Sequence, residues 1–144
     1  MHITVSTEAL RSILEGTARI ATKHITLPIL QCVSIKAENN TLTLTATNLE
    51  IGITGTVPGV VQEEGVVFVP AHTLKDTIAL ITQKEVTLST DGELLHIEAH
   101  TSKTDIKTMD GADFPSIPDI SGNTITIQSS LFAHGIKTTA FAAS

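Results

Sequence analysis

The residues with most to offer chemically lie at His96-Ile97-Glu98-Ala99-His100, where polar and apolar side chains alternate. On a strand His96, Glu98 and His100 share one side, and two imidazoles with a carboxylate are a ligand set for transition metals. Same-side neighbours on a strand stand roughly 6.6–7 Å apart at the backbone, so the three need other elements to converge. The spacing is not the helical HExxH pattern. Leu95, Ile97 and Ala99 form an apolar side opposite, which favours an ordinary half-buried strand. A metal-binding or metal-dependent β-rich domain built on His96, Glu98 and His100 stands as the alternative reading. Cys32 lies among Ile29, Leu30 and Val33, the setting of a small core residue rather than an activated thiol. A single cysteine excludes an internal disulfide framework and a multi-cysteine zinc site. There is no GxSxG, Walker loop or GxGxxG, and the acids are dispersed. The residues therefore offer no catalytic constellation and no cofactor motif, and the expectation is a non-enzyme.

Charge narrows the field further. The 144 residues hold 15 acids against nine bases, for a net charge of −6, with no Trp or Tyr. That composition is poor for gripping nucleic acid through a basic, aromatic-studded surface. The charge is uneven, however. From Leu10 to His24 the fixed charges Arg11, Arg19 and Lys23 against Glu15 give +2, leaving −8 on the other 129 residues. Arg11, Glu15 and Arg19 stand at four-residue steps, which on a helix makes either a solvated, self-paired face or a local cationic one. No apolar run approaches the ~18–20 residues that span a bilayer. The N-terminus lacks the basic flank and apolar stretch of a secretory signal. A cytoplasmic protein is expected.

The elements that position these residues are mostly strands. Ile3 and Val5; Val33, Ile35 and Ala37; Leu42, Leu44 and Ala46; Val86 and Leu88; and Leu95, Ile97 and Ala99 each alternate with polar residues. That period of two marks sheets with one buried face. Asn39-Asn40 and Asp91-Gly92 read as hairpin turns, because these residues tolerate positive φ. Val66-Val67-Phe68-Val69 is continuous, which predicts a strand buried on both faces and ended by Pro70. Two segments are helical. Over Thr7–Thr22 the residues Leu10, Ile13, Leu14, Ala18 and Ala21 form one stripe, with Ser6 or Thr7 as the cap. Over Ala71–Gln83 the stripe is Leu74, Ile78 and Ile81. The order is thus strand, helix, four strands, helix, three strands, with connections short enough for antiparallel neighbours.

Asp113-Phe114-Pro115-Ser116-Ile117-Pro118-Asp119 reads as a linker, since its prolines cannot continue a central strand. Beyond it the beginning recurs at an offset of 122: Ile3-Thr4-Val5-Ser6-Thr7 matches Ile125-Thr126-Ile127-Gln128-Ser129. Leu10, Leu14, Ala18 and Ala21 fall on Phe132, Ile136, Ala140 and Ala143. A strand, a polar cap and an amphipathic helix start again after one domain length. A strand and helix alone cannot bury their apolar faces. The expectation is the N-terminal part of a longer protein of repeated domains, with residues 1–121 as the first domain and 122–144 as the truncated start of the second.

Several motifs then carry a resemblance. Thr26-Leu27-Pro28-Ile29-Leu30 follows the first helix, and Thr47-Asn48-Leu49-Glu50 precedes Ile51-Gly52-Ile53. Val69-Pro70-Ala71 opens the second helix, and Ala112-Asp113-Phe114-Pro115 stands at the domain boundary. In order and spacing the chain resembles the bacterial sliding clamp family, the β subunit of DNA polymerase III. The resemblance implies an α+β DNA-clamp fold. Two helices would pack on antiparallel sheets in a complete first domain, followed by the first strand and helix of a second copy. It implies a ring-shaped homodimer of three-domain subunits that encircles double-stranded DNA without reading sequence. Such a ring serves as a non-catalytic processivity factor, tethering DNA polymerase III in DNA replication. DNA polymerase III and the clamp loader would engage parts of the protein beyond this chain.

The resemblance also implies sites. Arg19, Lys23, His24, His72, Lys75 and Lys137 are the candidate DNA-binding residues. His24 stands where the family carries a fixed positive charge, which implies a weaker or more pH-sensitive contact. The polar strand Thr101–Thr108 implies a subunit interface through Lys103, Thr104 and Ile106. Read without the family, it is an edge strand guarded by Lys103, Asp105 and Lys107. A plain protein-interaction domain stays open as a third reading. Acidic net charge suits a ring, because an annulus holds a polyanion by surrounding it and needs few cations inside.

Overall fold

The computed structural model describes residues 1–21, 27–100, 102–117 and 122–143. Eight strands and two helices follow the order that the alternation predicts. Strand β1 (His2–Ser6) leads into helix α1 (Thr7–Ile20), then β2 (Cys32–Glu38), β3 (Thr41–Thr47), β4 (Gly52–Glu63) and β5 (Gly65–Pro70). Helix α2 (Ala71–Leu80) is followed by β6 (Glu85–Thr90), β7 (Leu94–Ala99) and β8 (Ser102–Lys107). Asn39 and Asn40 take positive φ at the β2–β3 turn, and Gly92 does so between β6 and β7. A short 3-10 turn at Pro28–Gln31 precedes β2.

The strands form one antiparallel sheet in the order β5-β2-β3-β4-β1-β6-β7-β8. Strand β4 joins its two halves. Gly52 to Pro58 pair with β3, and Gly59 to Glu63 pair with β1. A strand that passes between two halves of a sheet must bend where it changes partner. Gly59 stands at that point. A Cβ there would lie 2.6 Å from Val5 Cγ1 and 2.7 Å from the Thr4 carbonyl oxygen, so only glycine allows the approach. The outer edges also meet. Met109, just past β8, donates its N–H to the Phe68 carbonyl of β5 at 2.8 Å.

The apolar stripes of both helices and one face of the sheet share a single core. Ile3, Leu10, Leu14, Leu74, Ile78 and Leu88 are all fully buried within it. Each such side chain contributes roughly 1.5–3 kcal/mol through the water it leaves. Ser6 caps α1 by accepting from the Ala9 N–H at 3.4 Å, and Glu8 lies in the positive first turn. Both helices are shorter than the apolar stripes predict, because Ala21 and Ile81 turn to extended backbone at their ends.

Strand β5 is a correction. Val67 and Val69 are buried, but Val66 is 55% exposed. The strand is an edge of the sheet with one covered face, so a continuous apolar run did not mean two. Residues 113–117 have no regular structure, as the prolines predict. They are fastened to the domain by Phe114, whose ring packs tilted at 45° against Phe68 with centroids 5.0 Å apart, and by Ile117 against Gly52. Past them a third helix, α3 (Ser129–Thr139), forms with no buried residue. Residues 125–127, which the repeat predicts as a strand, pair with no strand among the described residues.

Candidate nucleic-acid interface

Helices α1 and α2 lie antiparallel, and their polar residues meet at both ends. At one end Arg11 reaches across from α1. Its guanidinium donates to the carbonyl oxygens of Ile78 at 3.3 Å and Ile81 at 2.8 Å. Those carbonyls lie at the C-terminal end of α2, where partial negative charge collects; Ile78 also accepts the Ile81 N–H at 3.2 Å, whereas Ile81 stands just past the last helical residue. Arg11 is therefore a tie between the helices. The Arg11, Glu15 and Arg19 spacing is not a uniform face.

At the other end the last turn of α1 meets the first turns of α2. Arg19, His72 and Lys75 line one depression there with Glu15 and Ala18. Glu15, Arg19 and His72 are exposed, and Lys75 approaches Asp76 at 3.8 Å. Pro70 occupies the N-cap of α2 and offers no side-chain hydrogen bond, so the first-turn N–H groups lack a capping side chain. Two fixed cations and an imidazole beside the first turn of a helix suit a phosphate oxygen. Glu15 opposes it and keeps the net charge of the depression low.

Lys23 and His24 lie outside the described residues. Lys137 is exposed on α3. Lys103 and Thr104 are exposed on β8, an edge strand of the sheet. Ile106 faces inward at 5% exposure, so it can offer a partner only its backbone.

The His96, Glu98 and His100 set is not brought together as a metal site. His96 is occupied on both nitrogens, with Nδ1 2.7 Å from Asp105 Oδ1 and Nε2 3.1 Å from Asp91 Oδ2. Glu98 pairs with Lys103 at 2.8 Å, which lowers the carboxyl pKa and raises that of the ammonium. His100 leaves the strand geometry at φ 43°. Among the described residues no three His, Cys, Asp or Glu side chains converge as a metal site. Register explains the outcome. In the β7–β8 hairpin His96 stands opposite Asp105 and Glu98 opposite Lys103. Counting outward from the turn would have exposed both pairs. Asp91 and the inter-helix role of Arg11 left no such signal. Cys32 is buried, and burial pushes its thiol up to about 11, the state of an inert core residue.

Residues 1–118 match the family described as DNA polymerase III beta subunit, N-terminal domain, and the chain belongs to that family. The chain is 30% identical to the beta sliding clamp of Pseudomonas putida over 145 residues, covering 99% of this chain and 40% of that protein. It is 27% identical to the beta sliding clamp of Streptomyces coelicolor, over 99% of this chain and 38% of that one. The solved Caulobacter crescentus pol III beta superimposes with a TM-score of 0.91 at 27% identity, covering all of this chain and 40% of that one. The fold read from the sequence, helices on antiparallel sheets in a clamp domain, is thus the fold found. The chain spans about two fifths of these relatives' length. No described helix is long and apolar enough to cross a membrane.

Proposed function

We propose that the protein carrying this chain is a processivity clamp of DNA replication. It closes as a ring around duplex DNA and tethers a replicative polymerase without chemistry of its own. On this reading it is a cytoplasmic homodimer, with residues 122–144 opening a second domain of the same fold. The observation that carries it is the depression at the α1–α2 junction. Arg19, His72 and Lys75 stand together on the solvent side of the only two helices packed into the described domain. Membership in the clamp family supports the same reading. An acidic protein with a small cationic spot between helices binds backbone phosphate weakly, as sliding requires. Lys23, His24 and Lys137 would extend the spot, and the outer edge of β8 would meet the second subunit.

The test uses the full-length protein loaded on circular and on linearised plasmid. Retention on circles with rapid loss after linearisation is expected, and equal release from both would sink the proposal. Arg19→Ala together with Lys75→Ala should weaken residual DNA binding at all sequences alike. Measured against log salt concentration, the slope of affinity should fall by about 0.9 for each phosphate that the two substitutions leave unneutralised.

A further inference from the structure

We propose that His96 is a proton-operated latch on edge strand β8. While the imidazole is protonated it holds the strand and the β6–β7 turn together, and when it is neutral it loosens them. The inference deepens the clamp reading, because it rests on β8 being the edge offered to a second subunit.

The geometry is that of a charged imidazolium. Each ring nitrogen faces a carboxylate oxygen, Asp105 Oδ1 at 2.7 Å and Asp91 Oδ2 at 3.1 Å. A neutral imidazole has one N–H, so it can donate to one carboxylate while its other nitrogen turns a lone pair on the second. The protonated ring donates to both. The two carboxylates belong to different elements. Asp105 lies on β8 directly opposite His96, and Asp91 lies in the turn before β7. The His96 side chain is 18% exposed, while the Asp105 and Asp91 carboxylates are 44% and 60% exposed, so the bridge lies at the surface with only its imidazole covered.

Strand β8 hydrogen-bonds to β7 on one side, and Ile106 is its one buried residue. Just past its end, Thr108 donates its N–H and hydroxyl to the Glu93 carbonyl at 2.9 and 3.0 Å, and Met109 donates to Phe68, so the body of the strand, not its end, is where His96 acts. The charged pairs that hold its side chains are Lys103–Glu98 and Asp105–His96. The first pair stays ionised across the whole neutral range, so only the second can switch there. The same face carries His2 on β1 and Ser89 on β6, in one cross-strand row with His96 and Asp105. Glu63 on β4 stands opposite His2 and lies 3.4 Å from the chain's N-terminal ammonium. Lys107 flanks Asp105 on β8, opposite Leu94. The carboxylates outnumber the cations in contact with the ring, and the hydrogen bond to Asp105, followed by that to Asp91, holds the His96 pKa above the ordinary imidazole value. A raised folded-state value fixes the direction. The contribution is complete below the unfolded pKa of about 6.5 and is lost as pH climbs through the raised one.

The experiment is amide hydrogen exchange of this chain from about pH 6 to about pH 9, with the His96 titration read in parallel by NMR. Corrected for intrinsic rates, protection of residues 102–107 should fall about two- to fivefold through the His96 midpoint. Protection of β3 should stay level. His96→Gln should abolish the pH dependence. Asp105→Asn, which keeps a neutral acceptor, should lower the His96 midpoint without unfolding the strand. A flat profile across the His96 titration, or a dependence that survives His96→Gln, overturns the latch. Subunit exchange of the full-length protein is measured over the same range. If β8 loosens but exchange does not follow, the latch stands and the use of β8 as the subunit edge is overturned.

Discussion

The first and last segments of the chain share one sequence pattern and reach different ends. Near the N-terminus, Ile3, Leu10, Leu14 and Ala18 are buried to 2% exposure or less. Their counterparts 122 residues later include Ile125 at 82%, Phe132 at 56% and Ile136 at 52%. A helix forms in both segments, as α1 and as α3. Among the described residues the strand forms only in the first, where β1 sits between β4 and β6 and bonds to both. A helix satisfies its backbone from its own turns, whereas a strand borrows every hydrogen bond from a neighbour.

Substitutions at matched positions can break that comparison. The largest contrast is expected at Leu14. Leu14→Ala leaves a cavity in the core and should cost about 2–5 kcal/mol in urea unfolding. In the same 144-residue chain, Ile136→Ala, at the matching site of α3, should stay within about 0.5 kcal/mol. Equal losses would mean that α3 is packed after all. Next comes Arg11, whose counterpart is Ala133. Arg11→Met keeps the aliphatic stem but removes the donor to the Ile81 carbonyl, while Ile78 keeps the Ile81 N–H, and should cost about 1–3 kcal/mol. A neutral result would mean that the guanidinium adds nothing to helix docking. The smallest effects lie at the caps. Ser6→Ala should cost about 1 kcal/mol. Gln128→Ser supplies the side-chain cap that α3 lacks and should raise helix content by circular dichroism. If Ser6→Ala destabilises while Gln128→Ser adds no helix, the two helices do not start alike.

Strand, helix and turn identities were legible because they follow from local periodicity. Alternating Leu42, Leu44 and Ala46 could only face one way together, and all three are buried in β3. The Asn39-Asn40 turn was legible because few other residues tolerate positive φ at both positions. The cationic end of α1 was visible as a local excess of charge. Its companions on α2 could be named only through the family resemblance, since nothing in composition joins Arg19 to residues fifty positions away.

What the sequence determined by itself was which segments are strands or helices, where they turn and which face of each is apolar. Each of those depends on residues within a turn or two of one another. The tertiary structure alone decided who meets whom. It turned Arg11 from a surface charge into a cap for a distant helix. It gave His96 two aspartates in place of a metal. It exposed Val66 at the sheet edge and brought Arg19, His72 and Lys75 into one depression. Those pairings are set by strand register and helix docking, which depend on the whole core and leave no periodic trace in any one segment.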